Sequence, residues 1–137
     1  MDTRPIKGII VDGYCKGNPG IGGYRGLDLA TGQEVFSIQI GICTNNIAEF
    51  FALVHAARWM HDNARSGERL YSDSQSMMWP FRRRQCPNST FDTSRNPVVG
   101  KMMARAAEAL QTIPLPETVW WNKNMWGENP ADFGNKK

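Results

Sequence analysis

Apolar and polar positions along this chain alternate between two periods. Lys7–Tyr14 places the β-branched run Ile9, Ile10 and Val11 ahead of turn residues, the pattern of a buried strand. Gly22–Ala30 and Glu34–Gly41 read as two further strands around a hairpin turn at Thr31-Gly32. In the second of these, Val35, Ser37 and Gln39 alternate with Phe36, Ile38 and Ile40, the period of a half-buried strand. From Asn46 to about Ala64 the period becomes helical, with Phe50, Leu53, Val54, Ala57 and Met60 on one apolar stripe. Arg69–Ser72 predicts a short fourth strand, and Gln75–Arg84 a helix interrupted or kinked near Pro80. Cys86–Asn96 is polar and turn-rich, the composition of a loop. Pro97 opens a helix at its favoured first position, running to about Thr112 with Val98, Met102 or Met103, Ala106 and Leu110 inward. Val119–Asn122 supplies a fifth strand, and the rest is a loop leading into the start of a helix. The order β-β-β-α-β-α-α-β predicts an α/β fold. Its mixed five-stranded sheet, first three strands antiparallel, is flanked by helices, and the C-terminal helix is shortened.

Composition narrows the class. The 137 residues, with neither repeat nor linker, suit a single domain over 1–137. No apolar stretch is long enough to cross a bilayer, and MDTRPIKGIIVDG does not read as a signal peptide. Cys15, Cys43 and Cys86 are odd in number and lack CxxC spacing, which argues against a disulfide framework or a zinc site and for a reducing, cytoplasmic setting. Net charge is +3. With several acids gathered in one place, the remaining surface is more basic than that total. Arg82, Arg83 and Arg84, with Lys101 and Arg105 on the later helix, suit either a phosphate backbone or a solvated helix face.

Four acids stand where elements begin or end. Asp12 closes the first apolar run ahead of a Gly-Asn-Pro-Gly turn, and Glu49 lies one turn into the first helix. Asp73 sits in YSDSQ and Asp132 in NPADFG. Each has a local explanation. Asp12-Gly13 suits a strand-ending turn, Glu49 a capping-box variant three residues after Asn46, Asp73 a helix cap, and Asp132 the first turn of a helix started by Asn129-Pro130. Four carboxylates from four elements also suit a divalent-metal site, since Mg²⁺ takes oxygen ligands and keeps several waters. Two such ions about 4 Å apart can activate water and stabilise a leaving oxygen. Around them Gly13, Gly17, Gly20, Gly22 and Gly23 allow close backbone approach. Asn18, Asn45 and Asn46 offer amides to phosphate or ribose.

DGYCKGNPGIGGY, TNNIAEFFAL, YSDSQ and the acid of ENPAD resemble, in order and approximate spacing, the motif series of type 1 ribonuclease H, over nearly the whole chain. The resemblance implies an endonuclease that cuts the RNA strand of an RNA·DNA hybrid with two Mg²⁺ ions, Mn²⁺ being a possible substitute. It leaves 5′-phosphate and 3′-hydroxyl ends. It further implies that Asp12 bridges the metals, that Asp132 completes the site of the attacking water, and that Glu49 and Asp73 hold the ion near the leaving 3′-oxygen. Glu49 would also accept from the 2′-hydroxyl beside the scissile phosphate. Asn18, Asn46 and Gln75 match positions that contact the hybrid's minor groove, Asn45 one near a phosphate, and backbone groups at Gly13, Cys15 and Gly17 contribute. The Cys15 thiol itself reads as a small strand-end filler.

The chain departs from the pattern in three places. No histidine lies between Val119 and Asp132, where many family members carry one. The basic protrusion after the second helix is reduced to Arg82–Arg84 and a turn-rich segment. Five residues follow Asp132. The competing expectations are a non-cleaving hybrid-binding module and the ribonuclease H part of a reverse-transcriptase-like system. No obligatory protein partner or membrane association is expected, and the chain reads as a monomer.

Overall fold

The structure, a computed structural model, describes residues 3–132. Three strands follow one another in antiparallel fashion: β1 (Ile9–Gly17), β2 (Gly20–Asp28) and β3 (Glu34–Cys43). Helix α1 (Asn45–Asp62) crosses over to β4 (Leu70–Ser72), which lies parallel to β1. Helices α2 (Gln75–Arg82) and α3 (Pro97–Thr112) then lead to β5 (Thr118–Trp120), parallel to β4, and to a single helical turn, α4 (Lys123–Trp126). The sheet order β3-β2-β1-β4-β5 puts β1 at the centre. This is the expected five-stranded mixed sheet. The predicted start of a final helix lies outside the described residues.

Strand β1 runs further than its apolar residues indicate. Lys16 and Gly17 stay in the ladder opposite Ile21 and Gly20, so the GNPG turn is a two-residue hairpin, Asn18-Pro19, with Gly17 at φ +86°. Glycine is suited to that left-handed position. Strand β3 carries a bulge where Gly22 and Gly23 face Gly41 and Gln39. The Asn96 amide spans it, donating to the carbonyls of Ile40 at 2.8 Å and Ile42 at 3.0 Å. The same side chain caps α3 by accepting from Val98 N–H.

Helix α1 is buried on more than the one predicted stripe. Ile47 through Val54 are all buried, as are Ala56, Ala57 and Met60, because α1 is covered by the sheet on one side and by α2 and α3 on others. A helix apolar all round is what such a central position requires. In α3 the inward residue is Val99; Val98 is 50% exposed, contrary to the periodicity reading. Pro80 lies inside α2, which ends two residues later, short of the predicted Arg84. The opposite face of the sheet holds a smaller aromatic cluster of Ile10, Leu27, Tyr71, Trp121 and Ala131. No helix among the described residues is long and apolar enough to cross a membrane.

Candidate metal centre

Asp12 lies on the central strand and is fully buried; Glu49 is 5% exposed on the buried side of α1. Asp73 follows the last residue of β4 and is the most open of the three. One carboxylate oxygen from each lies within 4.8 Å of the others. Asp132 stands outside this group.

Local chemistry explains how Glu49 arrives there. Thr44 is the N-cap of α1, its hydroxyl accepting from Ile47 N–H at 3.2 Å. The capping-box reading through Asn46 is therefore incorrect: the third helical position is Ile47, and Glu49 lies beyond the capped turn. Its carboxylate instead accepts from the main-chain N–H of Gly13 on β1. The approach at this point is close. A Cβ on Gly13 would lie 2.7 Å from Glu49 Oε1, 2.8 Å from Glu49 N and 2.9 Å from Ala48 C. Gly13 thus lets α1 dock beside Asp12, with its own N–H engaged by protein.

Asp73 is likewise not a helix cap. Ser74 holds the cap position of α2 without a side-chain capping bond, and Ser72 Oγ accepts from Ser74 N–H at 3.0 Å. The Asp73 carboxylate accepts instead from Asn129 Nδ2 at 3.4 Å. Asn129 also donates to the Val11 carbonyl at 3.1 Å, and its Oδ1 accepts from Ala131 N–H at 2.7 Å. One buried amide therefore links β1, the β4–α2 junction and the C-terminal loop. Asn129 was read from sequence only as a helix-start residue, and the Ala131 bond does have that local character.

Arg25 is a second positioning residue with no counterpart in the sequence reading. It pairs directly across from Asp12 in the β1–β2 ladder. Its guanidinium donates to the carbonyls of Ala131 at 2.8 Å and Asp132 at 2.7 Å and forms an ion pair with Glu34 at 3.5 Å. The main chain of Asp132 is thereby tied to the strand neighbouring Asp12. A lone arginine inside a predicted strand was the available signal.

The expected substrate-contacting residues form a polar rim. Asn18 at the hairpin accepts through Oδ1 from Asn45 N–H at 3.0 Å, tying the GNPG turn to the start of α1. Asn18, Asn45, Asn46, Gly17 and Gln75 are exposed. Cys15 is half-buried; its thiol donates to the carbonyls of Gly17 and Cys43 and is pushed up from its ordinary pKa by burial. That is the filler role anticipated for it. The Arg82–Arg84 run is not one cationic patch. Arg82 donates to the hydroxyl and carbonyl of Thr118, both at 2.7 Å, and Arg84 to the carbonyls of Leu110 and Ile113 at 2.6 and 2.9 Å. Both arginines lock helices to their neighbours. Arg83 faces out, its guanidinium carbon 4.3 Å from the centre of the Trp79 ring.

Comparison with solved structures places this geometry. Ribonuclease H1 of the halophilic archaeon Halobacterium salinarum superposes with a TM-score of 0.55 at 25% identity, over 85% of each chain. The fold is that of type 1 ribonuclease H. The N-terminal ribonuclease H domain of a Mycobacterium tuberculosis protein matches with a TM-score of 0.56 at 19% identity, over 85% of this chain and 88% of that one. LC11 ribonuclease H1, isolated from compost and solved in complex with an RNA/DNA hybrid, matches at 0.54 and 22% identity over 85% of each chain. No family model matches the sequence. Within this ribonuclease H fold, the triad of Asp12, Glu49 and Asp73 is compatible with a divalent cation. The donors are all carboxylate oxygens, the ligands of hard cations.

Proposed function

We propose that this protein is an endoribonuclease that hydrolyses the RNA strand of RNA·DNA hybrids, with Mg²⁺, or Mn²⁺ in its place, held by Asp12, Glu49, Asp73 and Asp132. The observation that carries the reading is the convergence of three carboxylates from β1, α1 and the β4–α2 junction in a type 1 ribonuclease H fold. Carboxylates this close repel one another, and two of them are buried, so a divalent cation is the natural counter-charge. When bound, a pair of such ions lowers the pKa of water and neutralises charge on the phosphate and the leaving oxygen.

The chain's own residues would do the rest. Glu49, fixed by Gly13 N–H, is placed to accept from a ribose 2′-hydroxyl and so to prefer RNA. Asn129 orients Asp73. Arg25 and Asn129 together hold the loop that presents Asp132. The asparagine rim and Gln75 supply donors and acceptors to the sugar edges, with the Asn18–Asn45 bond keeping the hairpin and the α1 start in register. Hydrolysis adds water across the P–O3′ bond: the hydroxyl goes to phosphorus, giving a 5′-phosphate, and the proton to the 3′-oxygen. With no histidine between Val119 and Asp132, solvent supplies that proton.

The test is an end-labelled RNA·DNA hybrid incubated with Mg²⁺, Mn²⁺ or EDTA, beside duplex RNA and duplex DNA. Metal-dependent cutting of RNA in the hybrid alone is expected. Binding without cutting in either metal would instead favour a hybrid-binding module.

A further inference from the structure

Helix α2 begins two residues after Asp73 and divides cleanly into two faces. Met77, Met78 and Phe81 are buried, while Gln75, Trp79 and Arg83 follow one another at four-residue intervals on the solvent side. Trp79 is 60% exposed, the most exposed aromatic residue among those described. Residues four apart share one side of a helix, so from Gln75 the row extends about 6 Å to Trp79 and about 12 Å to Arg83.

The chemistry along that row is specific. Arg82 and Arg84 are committed to carbonyls and a hydroxyl within the fold, which leaves Arg83 as the cation of the triplet turned to solvent. Arg83 makes no ion pair among the described residues. It rests on the Trp79 ring, which holds the indole in a fixed orientation while leaving much of its surface open. An exposed, oriented indole beside a cation free to meet phosphate matches the elements that bind nucleic-acid strands: an aromatic surface against sugars or bases, and a guanidinium against the backbone. Scattered exposed apolar residues need no explanation. A tryptophan in line with Gln75 and Asp73, one turn from its own arginine, is better placed than most.

We propose that Trp79 and Arg83 form a nucleic-acid grip on α2 that holds the hybrid beyond the cleavage site, Trp79 by stacking or packing and Arg83 by a phosphate contact. The proposal rests on the hybrid reading above. Both residues are positioning residues for the substrate, so their effect falls on binding rather than on the chemical step.

The experiment is fluorescence anisotropy of a labelled hybrid titrated with protein in EDTA, over a range of salt, with cleavage measured separately. For a hybrid extending a full turn beyond the acid cluster on both sides, Trp79→Ala should raise Kd by about tenfold, in keeping with aromatic contacts to nucleic acid. Trp79→Phe should restore most of the affinity. Arg83→Ala should reduce the slope of log K against log salt by about 0.7–0.9, the share of one phosphate contact. A short hybrid ending at the acid cluster should bind all variants and wild type alike. The kcat of each variant at saturation should equal that of wild type, and thermal midpoints should be unchanged because Trp79 contributes little to the core. If both variants bind the long hybrid as wild type does, with the same salt slope, the grip does not exist, whether or not the row serves a protein partner. Wild-type protein that binds hybrids but never cuts them would remove the enzymatic reading and leave this comparison standing.

Discussion

Replacing Asn129 offers a quantitative test of how the site is assembled. Asn129→Ala removes the donor to the Val11 carbonyl, the acceptor for Ala131 N–H and the contact to Asp73. Val11 is 1% exposed and Ala131 fully buried, so neither group can turn to bulk water. Each buried polar group left without its bond costs about 1–3 kcal/mol, which for two gives a loss of about 2–5 kcal/mol. The 3.4 Å contact to Asp73 adds little stability but orients a proposed ligand. Urea unfolding followed by far-ultraviolet circular dichroism reads the stability change, and hybrid cleavage reads the misplacement of Asp73. Asn129→Asp separates hydrogen bonding from shape. It keeps the size and the acceptor for Ala131 but faces Val11 O and Asp73 Oδ2 with a third oxygen. The introduced carboxyl can bridge them only while it keeps its proton, so its folded-state pKa is raised. The variant's stability is therefore best at low pH and falls as pH rises. A loss under about 0.5 kcal/mol for Asn129→Ala, the level of an ordinary surface change, would refute the linking role.

Other consequences can be checked alongside. Gly13→Ala forces a Cβ against the backbone of Ala48 and Glu49, so a loss of about 1–3 kcal/mol in urea unfolding and a larger loss of hybrid cleavage are expected. Thr44→Ala removes the cap of α1 and should cost about 1 kcal/mol in the same assay. His55 bonds the Tyr24 hydroxyl at 2.8 Å, stacks on Phe36, and is held below its ordinary pKa by burial. Its stability contribution is complete above about pH 6.5, where folded and unfolded states are both neutral, and is lost as pH falls toward the lower folded value, because the unfolded state then binds the extra proton. Urea midpoints at pH 7.5 and 5.5 should therefore differ more for wild type than for His55→Gln.

Much of this architecture is written in local pattern. Helix α3 begins and ends where Pro97 and Thr112 predict, because a capping asparagine followed by proline is a strong start signal. The errors come from forces that local pattern does not carry. Lys16 and Gly17 belong to β1 because cross-strand bonds extend the ladder through residues that look like turn. Val98 and Val99 are chemically equivalent, and only the direction from which β3 and α1 approach decides which is buried. The acids were legible as types at element ends, yet the capping account of Glu49 failed because its partner is 36 positions away, at Gly13. Asn129 and Arg25 were missed for the same reason: both work by bonding main-chain carbonyls of distant segments, which leaves no periodic trace. Arg82 and Arg84 resembled a nucleic-acid patch by charge, and the fold spends them on Thr118 and the end of α3.

The central claim is that Asp12, Glu49 and Asp73 form a metal-dependent cutting site within the hybrid-binding surface. It is tested most directly by comparing Asp73→Asn with wild type on one labelled RNA·DNA hybrid, measuring cleavage in Mg²⁺ and binding in the same buffer. The account predicts that the variant binds the hybrid as wild type does and does not cut it. Cleavage by Asp73→Asn at the wild-type rate would contradict the assignment of the site.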